Sequence, residues 1–261
     1  MQNNLWYMTY TAFEPRVLPI FIYYIILSVF GILITIQMIK KWREREEIPP
    51  LYLSIVFALL VSAIIVLAIG LAEAAITGFY KEIYRFSLPL AYSLVVLADI
   101  VLFKFANHIT DKAKKAFIPI IILGAVLIVM IFLPWNWWGF PYKDYAGKLN
   151  IRLYTNIYFV AYSFIVYISI AFISLRTKKM TREKIPQVGL TLLFYSMIAM
   201  IMFFVMILAD NVMIVVFNHP GYSEFIYIAW IFAILFLILS YLSLVMPNWL
   251  VKRIQKNNKS E

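Results

Sequence analysis

The chain has 261 residues, 64% apolar and 14% charged, with no cysteine and a formal net charge of +10. Soluble domains run nearer half apolar and a quarter charged, so a protein of this size cannot hide that much apolar surface in water and needs the bilayer as its solvent. Disulfides, thiolate metal sites and cysteine nucleophiles are excluded, and the positive charge falls in a membrane-topology pattern, described below, that gives no reason to expect a nucleic-acid partner.

Met1 to Pro15 is polar and aromatic, with neither the basic start nor the small-residue cleavage site of a signal peptide. Seven long apolar runs follow, at 17–39, 51–77, 86–105, 116–134, 153–175, 188–216 and 225–246. About 20 residues suffice to cross ~30 Å of hydrocarbon as a helix. Helices are required because lipid cannot satisfy a free backbone amide. The expectation is one all-α integral membrane domain over 1–261.

The loops orient it. Lys40, Lys41, Arg43 and Arg45 follow span one, and Lys104, Lys112, Lys114 and Lys115 close span three and follow it. Arg176, Lys178, Lys179, Arg182 and Lys184 lie between spans five and six, and the tail adds Lys252, Arg253, Lys256 and Lys259. The opposite side holds only Arg16, Lys81, Arg85, Lys143, Lys148 and Arg152. Positive charge stays inside, which predicts a multi-pass protein of the cell membrane with its N-terminus outside and its C-terminus in the cytoplasm. Attraction to anionic lipid follows as a lesser consequence. The outer loop between spans four and five carries Trp135, Trp137, Trp138, Phe140, Tyr142 and Tyr145. It reads as an interfacial aromatic belt or as a lid over an outward pocket.

Sliding the chain against itself by 137 residues aligns Arg45-Glu46 with Arg182-Glu183, Ile48-Pro49 with Ile185-Pro186, and Leu71-Ala72-Glu73 with Leu208-Ala209-Asp210. Two prolines opening a helix, each 24 residues before an acid, are more specific than apolar similarity, and proline in a first helical turn is cheap because its missing donor would be unpaired anyway. The pattern predicts a 3+1+3 parallel repeat: halves at about 17–106 and 153–247, a linker helix at 116–134 and a short basic tail at 248–261.

This plan resembles the transporter–opsin–receptor group of seven-helix proteins, which includes sugar carriers of the SWEET and PQ-loop type and the microbial rhodopsins. It also looks like the seven-helix sensor modules at the front of some prokaryotic histidine kinases, whose exit segment Tyr241-Leu-Ser-Leu-Val-Met-Pro-Asn-Trp-Leu250 resembles. Two departures bear on what the resemblance implies. PQ-loop carriers hold a Pro-Gln pair in each half, whereas here Pro186-Gln187 is matched by Pro49-Pro50. Rhodopsins hold retinal on a lysine in span seven, and 225–246 contains none, so no cofactor is expected.

Charged groups inside a membrane cost about 2.5–3.5 kcal/mol each on insertion scales and call for a reason. Glu73 lies 23 residues past Pro50, about 34 Å at helical rise and so near the outer interface. Asp210 is its repeat equivalent. Together they read either as acids touching headgroups and water or as a paired acidic rim that attracts cations or amine-bearing ligands, with Asn211 adding a neutral polar contact. Asp99, deepest in span three, reads as a structural hydrogen-bond acceptor or as a proton-accepting switch. Lys104 is expected to snorkel to the cytoplasmic interface. Among the outer-leaflet tyrosines, Tyr23 with Tyr162 and Tyr92 with Tyr227 are the candidates to line an aromatic pocket, beside the belt and packing roles tyrosines also fill.

His108 and His219 sit in loops, and no nucleophile elbow, acidic diphosphate motif or phosphate-cradling loop occurs. No enzyme and no metal site are expected. Two functions remain. One is a stand-alone sensor that binds a small ligand outside and signals through its inner loops, with Arg176, Lys178, Lys179, Arg182 and Lys184 as the docking surface for a cytoplasmic partner; the same cluster also serves topology. The other is a small-solute carrier, in one version proton-coupled, supported by the repeat and the paired acids. Carriers usually break helices at the midplane with Gly or Pro, and Gly31, Gly70 and Pro119 are the nearest approach to that here.

Overall fold

The computed structural model describes residues 12–45, 48–109, 114–133, 152–219 and 221–258. The aromatic loop holding Trp135, Trp137, Trp138, Phe140, Tyr142 and Tyr145 lies outside the described residues, as do Lys112, Lys143, Lys148 and Lys259. A 3-10 turn at Pro15–Val17 leads into α1 (Leu18–Arg45), followed by α2 (Ile48–Thr77), α3 (Glu82–Ile109) and α4 (Lys114–Phe132). Then come α5 (Leu153–Met180), α6 (Lys184–Val216), α7 (Glu224–Val245) and α8 (Asn248–Asn258). The first seven helices are long and apolar enough to cross a membrane. The chain therefore has the build of a multi-pass membrane protein.

Each apolar run becomes a helix extended at one or both ends by polar turns, and prolines mark the starts. Pro49 and Pro50 fall in the first turn of α2 and Pro186 in that of α6, where a missing N–H costs nothing. Some intramembrane hydroxyls are satisfied within their own helices: Ser28 donates to the carbonyl of Tyr24 at 2.7 Å, and Ser174 to that of Ile170 at 2.8 Å. Lys104 extends its ammonium over the rings of Tyr52 and Phe117, 5.8 and 5.7 Å from their centroids.

Contacts run in chain order: α1 on α2, α2 on α3, α5 on α6 and α6 on α7. The ring closes where α3 meets α5 and α7 meets α1, while α4 lies across α3 and α5. Large apolar side chains face outward around this ring, among them Ile118 on α4 at 66% exposure and Phe172 on α5 at 64%. Water would penalise so broad an apolar surface; lipid does not. Gly70 lets α2 approach α3 closely, since a β-carbon there would sit 2.2 Å from the Ser87 hydroxyl oxygen.

The two ends of the bundle differ. One carries the chain's first described residues and the α2–α3 and α6–α7 loops. The other carries the α5–α6 connection with Arg176, Lys178, Lys179, Arg182 and Lys184. These are called the N-terminal end and the basic end. At the basic end the tail, read from the sequence as merely polar and basic, folds into α8. Met246 takes a left-handed conformation at φ 46° and ends α7. Pro247 then restarts the chain, its carbonyl accepting the amides of Leu250 and Val251 at 2.9 and 3.1 Å. α8 packs against α6.

Candidate functional site

A cavity of about 120 Å³ lies inside the ring. α2, α3, α6 and α7 supply most of its wall, with Tyr24 from α1 and Phe159 from α5. The lining stops at Leu60 on α2, Val95 on α3, Met200 on α6 and Leu237 on α7. The cavity therefore occupies the N-terminal half of the bundle. Its floor is aromatic. Phe204 and Phe236 line it, and beneath them Tyr167 packs on both at 5.7 and 6.5 Å between ring centroids, with Phe57 6.4 Å from Phe236. Tyr167 and Phe57 are fully buried.

At the mouth the hydroxyls of Tyr84 on α3 and Tyr222 before α7 meet at 2.7 Å, joining the two sides of the ring. Tyr80 packs on both rings, at 4.5 Å from Tyr84 and 6.5 Å from Tyr222. Burial pushes the Tyr222 hydroxyl well above the ordinary tyrosine range, so it stays neutral at physiological pH. The segment before α1 crosses over this end. The Phe13 amide donates to the carbonyl of Gly78 at 2.9 Å. Arg16 donates to the carbonyl of Gly221 at 3.0 Å, pairs with Glu14, and accepts through its own carbonyl from the Tyr227 hydroxyl.

The two acids equated by the repeat each clasp the start of the next helix. Glu73 on α2 accepts the amide of Tyr84 in the first turn of α3 at 2.9 Å. Asp210 on α6 accepts, on Oδ1, both the amide and the hydroxyl of Ser223 just before α7, each at 2.7 Å. A carboxylate at a helix N-terminus meets unpaired amides and the positive end of the helix dipole. They do not form a shared rim: Asp210 lines the cavity and Glu73 does not. Asn211, next in the chain, points elsewhere; it is fully buried and reaches only the carbonyl of Ile207 in its own helix, at 3.4 Å.

Of the tyrosines singled out from the sequence, Tyr92 lines the cavity, stacked on Phe159 at 4.7 Å with the rings 6° from parallel. The other three stand apart from it. Tyr23 is half-buried outside the lining, Tyr162 donates to the carbonyl of Ile120 on α4 at 3.3 Å, and Tyr227 on α7 donates to the Arg16 carbonyl of the crossing segment. Neither expected pair, Tyr23 with Tyr162 or Tyr92 with Tyr227, comes together. The sequence reading missed Tyr24, Tyr84, Tyr222, Trp230 and Phe203, all in the lining. Tyr24 adjoins Tyr23 and faces the other way. Trp230 meets Tyr24 edge to face at 4.7 Å and Phe203 at 5.4 Å.

Asp99 is fully buried where α3 meets α5. Ser163 donates to its Oδ2 at 2.8 Å, and Oδ1 has no partner among the described residues. The Tyr167 hydroxyl lies near the same carboxyl without hydrogen-bonding geometry. Since Tyr167 also supports the cavity floor, Asp99 sits one layer below the cavity. At the basic end Arg176, Lys179, Arg182 and Lys184 are exposed and Lys178 half-buried. No protein-family model matches the chain, and no curated protein or solved structure does either.

Proposed function

We propose that this protein is a seven-helix membrane sensor that binds a small ligand in its cavity and reports it at the basic end. The observation that carries the reading is the aromatic layer at which the lining stops: Phe204 and Phe236, backed by the fully buried Tyr167 and Phe57, separate the cavity from the half of the bundle nearer the basic end. Ligand pockets are typically apolar with a small number of placed polar groups, and this lining is apolar and aromatic apart from Asp210 and the tyrosine hydroxyls. A ligand seated on Phe204 and Phe236 would press on Tyr167 and so on Asp99 and Ser163, the polar contact between α3 and α5. Two packings of that contact give a ligand something to bias. The reading takes the N-terminal end as external and the basic end as cytoplasmic, on the distribution of lysine and arginine. The host is the cell membrane. Arg176, Lys178, Lys179, Arg182 and Lys184, with α8 beside them, form the surface a cytoplasmic partner reads. The reading includes no catalytic step and no cofactor.

The second reading, a small-solute carrier, is favoured by one observation. The clasps made by Glu73 and Asp210 correspond across the repeat, as expected of two related three-helix units flanking a solute path. Flux separates the two. Purified protein in liposomes is assayed with radiolabelled amines, amino acids and sugars. The sensor reading expects uptake equal to that of empty liposomes; saturable uptake of any of them replaces it with the carrier.

A further inference from the structure

Resting on the pocket reading above, we propose that the cavity takes a lipophilic monocation: one amine or quaternary ammonium head on a largely apolar body. Among the described residues, Asp210 is the only charged side chain in the lining. It is 4% exposed. Ser223 engages Oδ1 alone, and Oδ2 meets no donor from the described residues. The nearest basic groups, Arg16 and His219, lie at the mouth, where Arg16 is held by Glu14 and by the carbonyl of Gly221. A buried carboxylate with an open oxygen favours a cationic partner and repels an anionic one.

The rest of the wall suits the body of such a molecule. Tyr24, Trp230 and Phe203 stand edge to face, so their ring faces turn in different directions around the lumen, a geometry that suits apolar groups and diffuse positive charge. Phe203 lies two helical turns, about 10 Å, below Asp210 on α6, and Met200 about 15 Å below. The ligand is thus long or bulky, with its charge at the mouth end.

The test uses the full chain in zwitterionic nanodiscs, with binding to empty nanodiscs subtracted. Tetraphenylphosphonium and tetraphenylborate, nearly equal in shape and opposite in charge, are the probes. The cation is expected to bind saturably, at least tenfold more tightly than the anion. Asp210→Asn keeps the acceptor for Ser223 and is expected to remove most of that preference. Ala233→Phe fills the lumen and is expected to abolish saturable binding. Equal binding of the two probes, or a cation affinity unchanged in Asp210→Asn, overturns the ligand class; loss of that binding in Ala233→Phe would then leave the pocket reading standing. No saturable binding of either probe, or binding that survives Ala233→Phe, overturns the pocket and the ligand class together. The comparison of probes on the unmodified chain needs no variant to fold.

Discussion

Asp210 ties the start of α7 to α6 and also lines the cavity. Oδ1 holds the start of α7 while the other oxygen is left to the cavity. Asp210→Ala strands a buried amide and a buried hydroxyl, which costs about 1–3 kcal/mol, whereas Asp210→Asn retains the acceptor. Thermal unfolding in detergent should therefore rank Asp210→Asn close to the parent and Asp210→Ala well below it. Equal midpoints for the two variants would deny the clasp. Ser163→Ala removes the donor to Asp99 and should lower stability by a similar amount in the same assay. The Tyr84–Tyr222 bridge carries a pH expectation. With the Tyr222 hydroxyl held above its ordinary value by burial, the native state keeps a proton that the unfolded chain gives up near pH 10. Stability from this group is thus flat through neutral pH and falls as pH rises past about 10. A Tyr222→Phe variant should lack that alkaline component of a denaturation-against-pH curve.

At the scale of elements, the helices were legible in the sequence and the faces they bury were not. Seven apolar runs mark seven helices because lipid demands long, hydrogen-bonded, apolar segments. In water a helix announces its buried face by putting polar residues on the other side. In lipid both sides are apolar, so Tyr23 and Tyr24 look alike until packing separates them, and tyrosines paired by depth alone did not meet. Asp210 and Tyr92 were found because an intramembrane acid and an outer-leaflet ring stand out by cost or by place. Trp230 and Phe203 carry no such mark. The tail helix escaped for a different reason: at 11 residues it is too short to be stable by propensity alone, and it forms against α6. Close approach of α2 and α3 rests on Gly70. Gly70→Val forces the helices apart and should cost about 1–3 kcal/mol, read as a lowered unfolding midpoint, with Ala68→Val on the same helix as the milder comparison.

For the whole molecule, the proposed reading joins three features: the ring in chain order, the cavity in the N-terminal half and the gathering of lysine and arginine at the basic end. On that reading ligand would enter where lysine and arginine are sparse, and the report would leave where they gather. Absence of cysteine makes the arrangement directly testable. Ala63→Cys places one thiol in the cavity wall, and Arg182→Cys places one on the basic end as a marker of sidedness. A membrane-impermeant thiol reagent, applied to intact cells and to inverted vesicles, should modify Ala63→Cys only from outside and Arg182→Cys only from inside. Modification of Ala63→Cys from both sides would mean a path through the floor, and from the inside alone a reversed protein; either result contradicts the account.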